Sequence, residues 1–339
     1  MAIFMSGSGS NAERILERVE AKEPDVPFEV TALVTDAPET SRARDLGARF
    51  GLPVVENDIR AFYRERGESR VSIATPRGQE IRQEWTDALR AQLAPCGVDF
   101  AVFAGFVPLT NLTADFPCLN VHPGDLTYLR DNRRYLVGLH TVPIERAILE
   151  GLPELRSSVI VALPYTGKGD DMDNGPILGI SPPVAVLPGE ETLEELAAVM
   201  AERPERRPKG GFADPLEQMA EANQDRLKEG GDWIVFPRVT FDFAAGRFGT
   251  DEADQLYYRL GSTWHPVETV VYGVEDRETL GHIVRRHDQH HLLDQSGGVE
   301  VPEARRHGAV DGSFTDHGDR SHVRSPTARG RATSAPGVS

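Results

Sequence analysis

Cys118-Leu119-Asn120-Val121-His122-Pro123 reads as a short apolar strand that closes on two polar residues and a proline. Alternation along a strand sends the Asn120 and His122 side chains to one face. Pro123 stops the strand, so the pair falls at its carboxyl end, where open α/β sheets bind their ligands. An asparagine amide can aim an N–H at a carbonyl oxygen, and a histidine can take or give a proton near neutral pH. Strand-end polar residues are more often structural than catalytic. The stretch therefore fixes a place, and the rest of the chain must supply the chemistry.

Upstream of it, Ala2–Met5 reads as a buried strand, followed by Ser6-Gly7-Ser8-Gly9-Ser10-Asn11 and a helix over Ala12–Glu20. Strand, small-residue turn and helix make a ready anion site, because backbone N–H groups and the positive helix end face the same point. Phe28–Val34 and Pro53–Val55 are predicted strands, and Ser41–Phe50 is a predicted helix. Asn57–Pro76 has mixed charge and no period, so a loop with a helical turn is expected. Gln79–Leu93 carries Ile81, Trp85, Leu89 and Leu93 on one helical face, and Asp99–Ala104 is the most apolar strand.

Downstream, Gly124–Val137 reads as a polar, arginine-containing loop, Pro143–Glu150 as a helix and Ser157–Leu163 as a strand. Ile177–Ile180 and Val184–Val186 are expected strands, Leu193–Met200 a helix. Asp232–Ala244 is apolar enough for a core helix. Thr250–Gly273 suggests a terminal hairpin with Tyr257–Leu260 and Thr269–Tyr272 as arms. The alternation predicts a doubly wound, mostly parallel α/β sheet. Residues 201–231, rich in Arg, Pro, Glu and Gly, read as an insertion within one domain over residues 1–273, with an amphipathic helix at Leu216–Leu227. Residues 274–339 are expected to be a disordered tail, poor in apolar side chains and holding seven of the ten histidines.

Bulk properties narrow the class. The 339 residues carry a net charge of −16, which argues against nucleic acid as a partner, since phosphate contacts need a basic face. No stretch approaches the roughly 20 apolar residues of a membrane span. With no signal-peptide core at the start, the expected compartment is the cytoplasm. Cys96 and Cys118 have no metal-ligand spacing and form no disulfide framework. Asp170, Asp171 and Asp173 cluster in Gly167–Pro176, but a calcium loop counted from Asp171 meets Gly175 and Pro176 at the wrong places, so no metal is expected.

Four turns then align in order. Ser-Gly-Ser-Gly-Ser-Asn at 6–11, Ala-Gly-Phe at 104–106, Leu-Asn-Val-His-Pro at 119–123 and Asp-Asn-Gly-Pro-Ile at 173–177 resemble the folate-dependent formyltransferases. Gly-Leu-His-Thr at 138–141 is a fifth match. The resemblance resumes at Phe236-Pro237 and Phe243–Arg247 and runs to about Gly273. It implies a Rossmann-like sheet, a cytoplasmic enzyme and 10-formyltetrahydrofolate as formyl donor. A small-molecule amine attacks the formyl carbon through a tetrahedral intermediate. The acceptor it points to is glycinamide ribonucleotide, in purine synthesis.

The resemblance also assigns residues. Asn120 would hydrogen-bond the developing oxyanion, His122 would handle protons, and Asp173 would orient and charge-balance His122. Gly9, Ser10 and Asn11 match the turn that holds the substrate phosphate, with Arg82 on the phosphate side and Asp232 at the ribose. Phe106, Val107 and Leu109, with Asp170 and Asp171 of the later loop, would line the pterin pocket. A homo-oligomer is left open.

The chain also departs from the pattern. Gly124–Val137 is longer than the usual turn and carries Arg130, Arg133 and Arg134, Pro108 stands where many relatives have arginine, and Ile160 where they often have histidine. These departures bear on the acceptor, so formyl transfer to another amine, hydrolysis of the formyl donor and non-catalytic folate binding are the competing readings. A dinucleotide-binding turn is disfavoured, since Ala12 stands where its third glycine would fall.

Overall fold

The computed structural model describes residues 1–22, 24–139, 141–164 and 173–274. The first half alternates strands β1 (Ala2–Phe4), β2 (Ala32–Thr35), β3 (Val54–Glu56), β4 (Ala101–Phe103) and β5 (Cys118–His122) with helices α1 (Ser10–Lys22), α2 (Ala43–Phe50), α3 (Ile59–Glu65) and α4 (Pro76–Leu93). Next come β6 (Leu129–Arg130), β7 (Arg133–Arg134), α5 (Val142–Leu149), β8 (Glu154–Leu155), β9 (Ser158–Val161), β10 (Ile177–Ile180) and β11 (Val184–Ala185). Helices α6 (Leu193–Glu202), α7 (Pro215–Leu227) and α8 (Trp233–Ala244) follow, then β12 (Phe248–Thr250), β13 (Leu256–Leu260), β14 (Thr263–Pro266) and β15 (Val270–Val271).

Among the described residues the main sheet has eight strands in the order β15-β10-β9-β5-β4-β1-β2-β3. The block from β3 to β5 is parallel throughout, and β9 runs antiparallel to both β5 and β10. Strand order reverses at β1 and β4, which places a ligand crevice beyond their carboxyl ends.

Alternation on the strands builds two separate apolar layers. Ile3, Leu33, Val102 and Leu119 face α1 and α8, packing on Ile15, Leu16, Phe236 and Phe243. Ala2, Phe4, Ala101, Phe103 and Cys118 face α3 and α4, packing on Tyr63, Ile81, Trp85 and Leu89. Each fully buried large side chain of this kind costs about 3–5 kcal/mol to truncate to alanine. Thr75 caps α4 by accepting from the Gly78 N–H, and Pro76 occupies the first helical position, where its missing N–H is not needed.

Three expectations change. The Asn57–Pro76 stretch contains a full helix, α3: Asp58 accepts from the N–H groups of Arg60 and Ala61, and Ile59 and Tyr63, four apart, are both buried. Gly124–Val137 is not all loop, because β6 and β7 form a hairpin about Asp131 and Asn132, both left-handed at φ 52° and 57°. A two-residue turn of that shape suits Asn and Asp and matches strand twist. In the terminal segment β13 lies between β12 and β14 in a three-stranded antiparallel sheet, joined to β14 at Gly261-Ser262, while Val270–Val271 crosses to the main sheet beside β10. The Tyr258 and Tyr272 hydroxyls both donate to one Asp242 carboxylate oxygen, at 2.6 and 2.7 Å, and so fix this segment to α8.

Helix α7 is integrated into the body. Its Leu216, Ala220 and Leu227 pack with Ile144 and Ile148 of α5, and Arg203 bridges the Glu145 and Asp214 carboxylates at 2.6 and 2.7 Å. The expected tail lies outside the described residues apart from Val274. No described helix is long and apolar enough to cross a membrane, and no group of His, Cys, Asp or Glu among the described residues could hold a metal ion.

Candidate active site

Parallel pairing sets Asn120 level with Phe103 and Phe4, and His122 two residues further toward the carboxyl edge. Just beyond β4, the Phe106 ring packs edge-on to Phe4 at 5.1 Å and stacks on Trp85 at 6.3 Å. Phe106 and Leu109 are half-buried against the α4 layer, whereas Val107 is 60% exposed. The Asn120 side-chain amide has no hydrogen-bond partner among the described residues, though it is half-buried. Its N–H groups remain available for an incoming oxygen.

His122 is buried, and its Nε2 donates to the Leu136 carbonyl at 2.7 Å. A carbonyl only accepts, so Nε2 carries the proton and the Nδ1 lone pair is the reactive side. Gly124 permits this approach, since a Cβ there would stand 2.5 Å from the Leu136 oxygen. Nδ1 faces the Asp173 carboxylate at 3.9 Å. Burial holds the imidazole below its ordinary value, partly offset by the Asp173 anion and the Leu136 bond, while Arg134 pushes it further down. At neutral pH, His122 Nδ1 and the Asp173 oxygens are all acceptors. They can be bridged only by a donor, and an amine with two N–H groups suits that gap.

The turn after β1 forms as its glycine pattern predicts. Gly9 is left-handed at φ +66°, and a Cβ there would collide with the Met5 and Leu46 side chains. The Gly9 carbonyl accepts the Glu13 N–H at 2.8 Å, and α1 begins at Ser10. The first N–H groups of a helix have no partner within it, so those of Ser10, Asn11 and Ala12 face out of the turn. Asn11 Nδ2 donates to Asp232 Oδ2 at 3.0 Å, joining two expected substrate residues that are 221 positions apart. Ser157 Oγ donates to Asp232 Oδ1, and the carboxylate lies inside the protein, where desolvation pushes its pKa up. Asn11 Oδ1 is buried with no partner among the described residues.

Arg82 is buried on α4, and its Nη1 donates to the Leu109 carbonyl at 2.9 Å. It thus stands against the 106–109 turn, with no bond to Gly9, Ser10 or Asn11 among the described residues. Asp170 and Asp171 lie outside the described residues.

Asp36 went unmarked in the sequence, and Ser6 and Arg134 were marked there without the contacts they make. Ser6 donates to Asp36 and accepts the Val107 N–H at 3.0 Å, while its own N–H reaches the Gly105 carbonyl at 3.1 Å. It ties the turns after β1, β2 and β4 into one frame. Asp36 carried a signal, being an acid directly after the apolar run Ala32–Thr35. Arg134 donates from Nη1 to the Asp173 carbonyl and from Nη2 to the Gly175 carbonyl at 2.8 Å. The hairpin turn could have shown that Arg133 and Arg134 face opposite ways.

A doubly wound, mostly parallel sheet with an antiparallel β9 matches the formyltransferase fold, and the chain has that fold. The phosphoribosylglycinamide formyltransferase of Coxiella burnetii superposes with a TM-score of 0.50 at 18% identity, over 80% of this chain and 98% of that one. Glycinamide ribonucleotide transformylase 1 of Symbiobacterium toebii aligns at 22% identity and a TM-score of 0.46, over 74% of this chain and 90% of that one. A formyltetrahydrofolate deformylase of Pseudomonas syringae pv. tomato aligns at 13% identity and a TM-score of 0.46, over 75% and 64% of the two chains. No protein-family model and no curated protein matches the chain.

Proposed function

We propose that the protein transfers a formyl group from 10-formyltetrahydrofolate to a primary amine, with glycinamide ribonucleotide as the acceptor. The observation that carries this reading is the convergence at one sheet edge of an Asn120 amide and a neutral His122 Nδ1, neither hydrogen-bonded among the described residues, with the Asp173 carboxylate. The donor's place is supported by the 105–109 turn, which offers an apolar wall from Phe106 and exposed Val107 just after β4, the strand paired with β5. When bound, the donor supplies an activated formyl carbon.

Asn120 would donate to the formyl oxygen as it gains charge, a contact worth about 3 kcal/mol in the transition state. His122 Nδ1 would take the proton the amine gives up as the new C–N bond forms. It would return one to the folate N10 as the old C–N bond breaks, leaving formamide and tetrahydrofolate. Asp173 would hold the amine's second N–H and favour the imidazolium while it lasts. The Gly9–Asn11 turn would receive the acceptor's phosphate on the N–H groups of α1.

One observation favours a different amine. Both oxygens of Asp232, the expected ribose contact, already accept from Asn11 and Ser157 inside the protein. The test is an acceptor screen with 10-formyltetrahydrofolate, beginning with glycinamide ribonucleotide. Turnover with that amine at rates typical of an enzyme, roughly 1–1,000 per second, supports the acceptor. Formate release without any amine would replace transfer by hydrolysis.

A further inference from the structure

We propose that Arg134 is a positioning residue, whose guanidinium holds the Asp173–Gly175 segment so that the Asp173 carboxylate stays opposite His122 Nδ1. This rests on the proposal that His122 and Asp173 act together.

The hairpin sets the geometry. The left-handed Asp131-Asn132 turn fixes the register of β6 and β7, and alternation along β7 then exposes Arg133 and turns Arg134 inward, half-buried. Its two terminal nitrogens grip two different carbonyls, those of Asp173 and Gly175. A guanidinium matches that two-point demand because its donors form a rigid planar fork. The segment is held again just beyond, where the Pro176 carbonyl accepts the Val161 N–H of β9 at 3.1 Å.

The acceptors are both backbone groups, and that is what separates holding from neutralising. Arg134 grips the loop by its main chain, and the Asp173 carboxylate accepts no hydrogen bond among the described residues, so it remains open toward His122 at 3.9 Å. A cation bonded directly to that carboxylate would lower its basicity and compete with the amine. The same hairpin exit supplies the Leu136 carbonyl that fixes the His122 tautomer, so one element orients both members of the pair. Among the described residues, the charged groups acting on His122 are Asp173 and Arg134.

Position and charge predict opposite results. If Arg134 acted only as a nearby cation, removing it would raise the pKa of His122. If it holds Asp173 in place, its removal lets the carboxylate move off. The anion outweighs the cation at His122, so the pKa falls. The experiment is an NMR titration of His122 in the full chain, its signal identified by its loss in His122→Gln, for wild type, Arg134→Met, Asp173→Asn and the double variant.

The expected result is a lower His122 pKa in Arg134→Met and little further change when Asp173→Asn is added, the non-additivity of a shared path. Formyl transfer should lose about tenfold to a hundredfold in kcat, the scale of a misplaced group, with the donor's KM nearly unchanged. Arg134→Lys keeps the cation without the fork, should fold if Arg134→Met does not, and should also lower the His122 pKa. An unchanged or raised pKa in the folded variants, with a full Asp173→Asn effect in either background, overturns the proposal. A lowered pKa in a protein that formylates no amine would overturn the functional reading and leave the positioning role standing.

Discussion

His122 Nδ1 faces the Asp173 carboxylate at 3.9 Å while its Nε2 is committed to Leu136 at 2.7 Å, so the ring has one nitrogen turned to the carboxylate and one anchored. Burial holds this imidazole below the ordinary histidine value of 6.5. The neutral form is the base, so kcat at saturating substrates should hold as pH falls through that value and be lost only below it. Asp173→Asn removes the anion that opposes the shift. It should move the acid limb to still lower pH and cut kcat by at least about a hundredfold. Profiles of kcat against pH for both proteins check this, and an acid limb that moves upward in the variant contradicts the pairing.

Asn120 offers a cleaner separation of catalysis from stability. Its amide has no partner to lose among the described residues, so Asn120→Ala should leave the melting temperature nearly unchanged. It should lower kcat by about a hundredfold to a thousandfold, the cost of one oxyanion donor. Asn120→Asp places a negative charge where more negative charge must develop and should be worse. A variant whose melting temperature falls by several degrees while its turnover is kept would make Asn120 structural.

The reach of the sequence follows the range of the interaction. β5 was legible to the residue, Cys118–His122, because prolines bracket an apolar run. The buried face of α4 was legible because Ile81, Trp85, Leu89 and Leu93 repeat at helical spacing. Local chemistry is also present, though less plain, at Asp58, which caps α3, and at Asp131-Asn132, which turns the hairpin. What no local pattern carries is pairing at a distance: Asn11 with Asp232, Arg134 with the Asp173 loop, and Val270–Val271 leaving the hairpin for β10. For the site, residue types and their order marked which turns matter. The frame that joins those turns, through Ser6 and Arg134, needed the fold.

Asp232 should make stability depend on pH. Desolvation raises its folded pKa above the ordinary value of 3.8, so the folded state binds this proton more tightly than the unfolded state. The linked stability is present below that value and is lost as pH rises through the raised one. Asp232→Asn removes the ionisation and can still pair with Asn11 and Ser157. Its melting temperature should gain on wild type as pH rises from 3.8 through the raised value, whereas Asp232→Ala, which strands both partners, should lose about 1–3 kcal/mol. Thermal melts across pH check this; parallel curves for wild type and Asp232→Asn would show that the carboxylate stays solvated.

The proposed acceptor can be tested at the turn after β1 and at Arg82. If the N–H groups of Ser10, Asn11 and Ala12 hold a phosphate, inorganic phosphate should compete with the acceptor and leave the donor's KM unchanged. Gly9→Ala should raise the acceptor's KM and lower the melting temperature, because alanine at φ +66° costs about 1–2 kcal/mol before any clash with Met5. The family resemblance puts Arg82 at the same phosphate, but its guanidinium bonds the Leu109 carbonyl, in the turn proposed to receive the donor. Arg82→Ala should therefore raise the KM for the formyl donor more than that for the amine. A rise confined to the amine would return Arg82 to the phosphate. Kinetics that ignore inorganic phosphate, with an acceptor KM unmoved in both variants, would exclude a phosphorylated amine and leave formyl transfer to be tested on unphosphorylated ones.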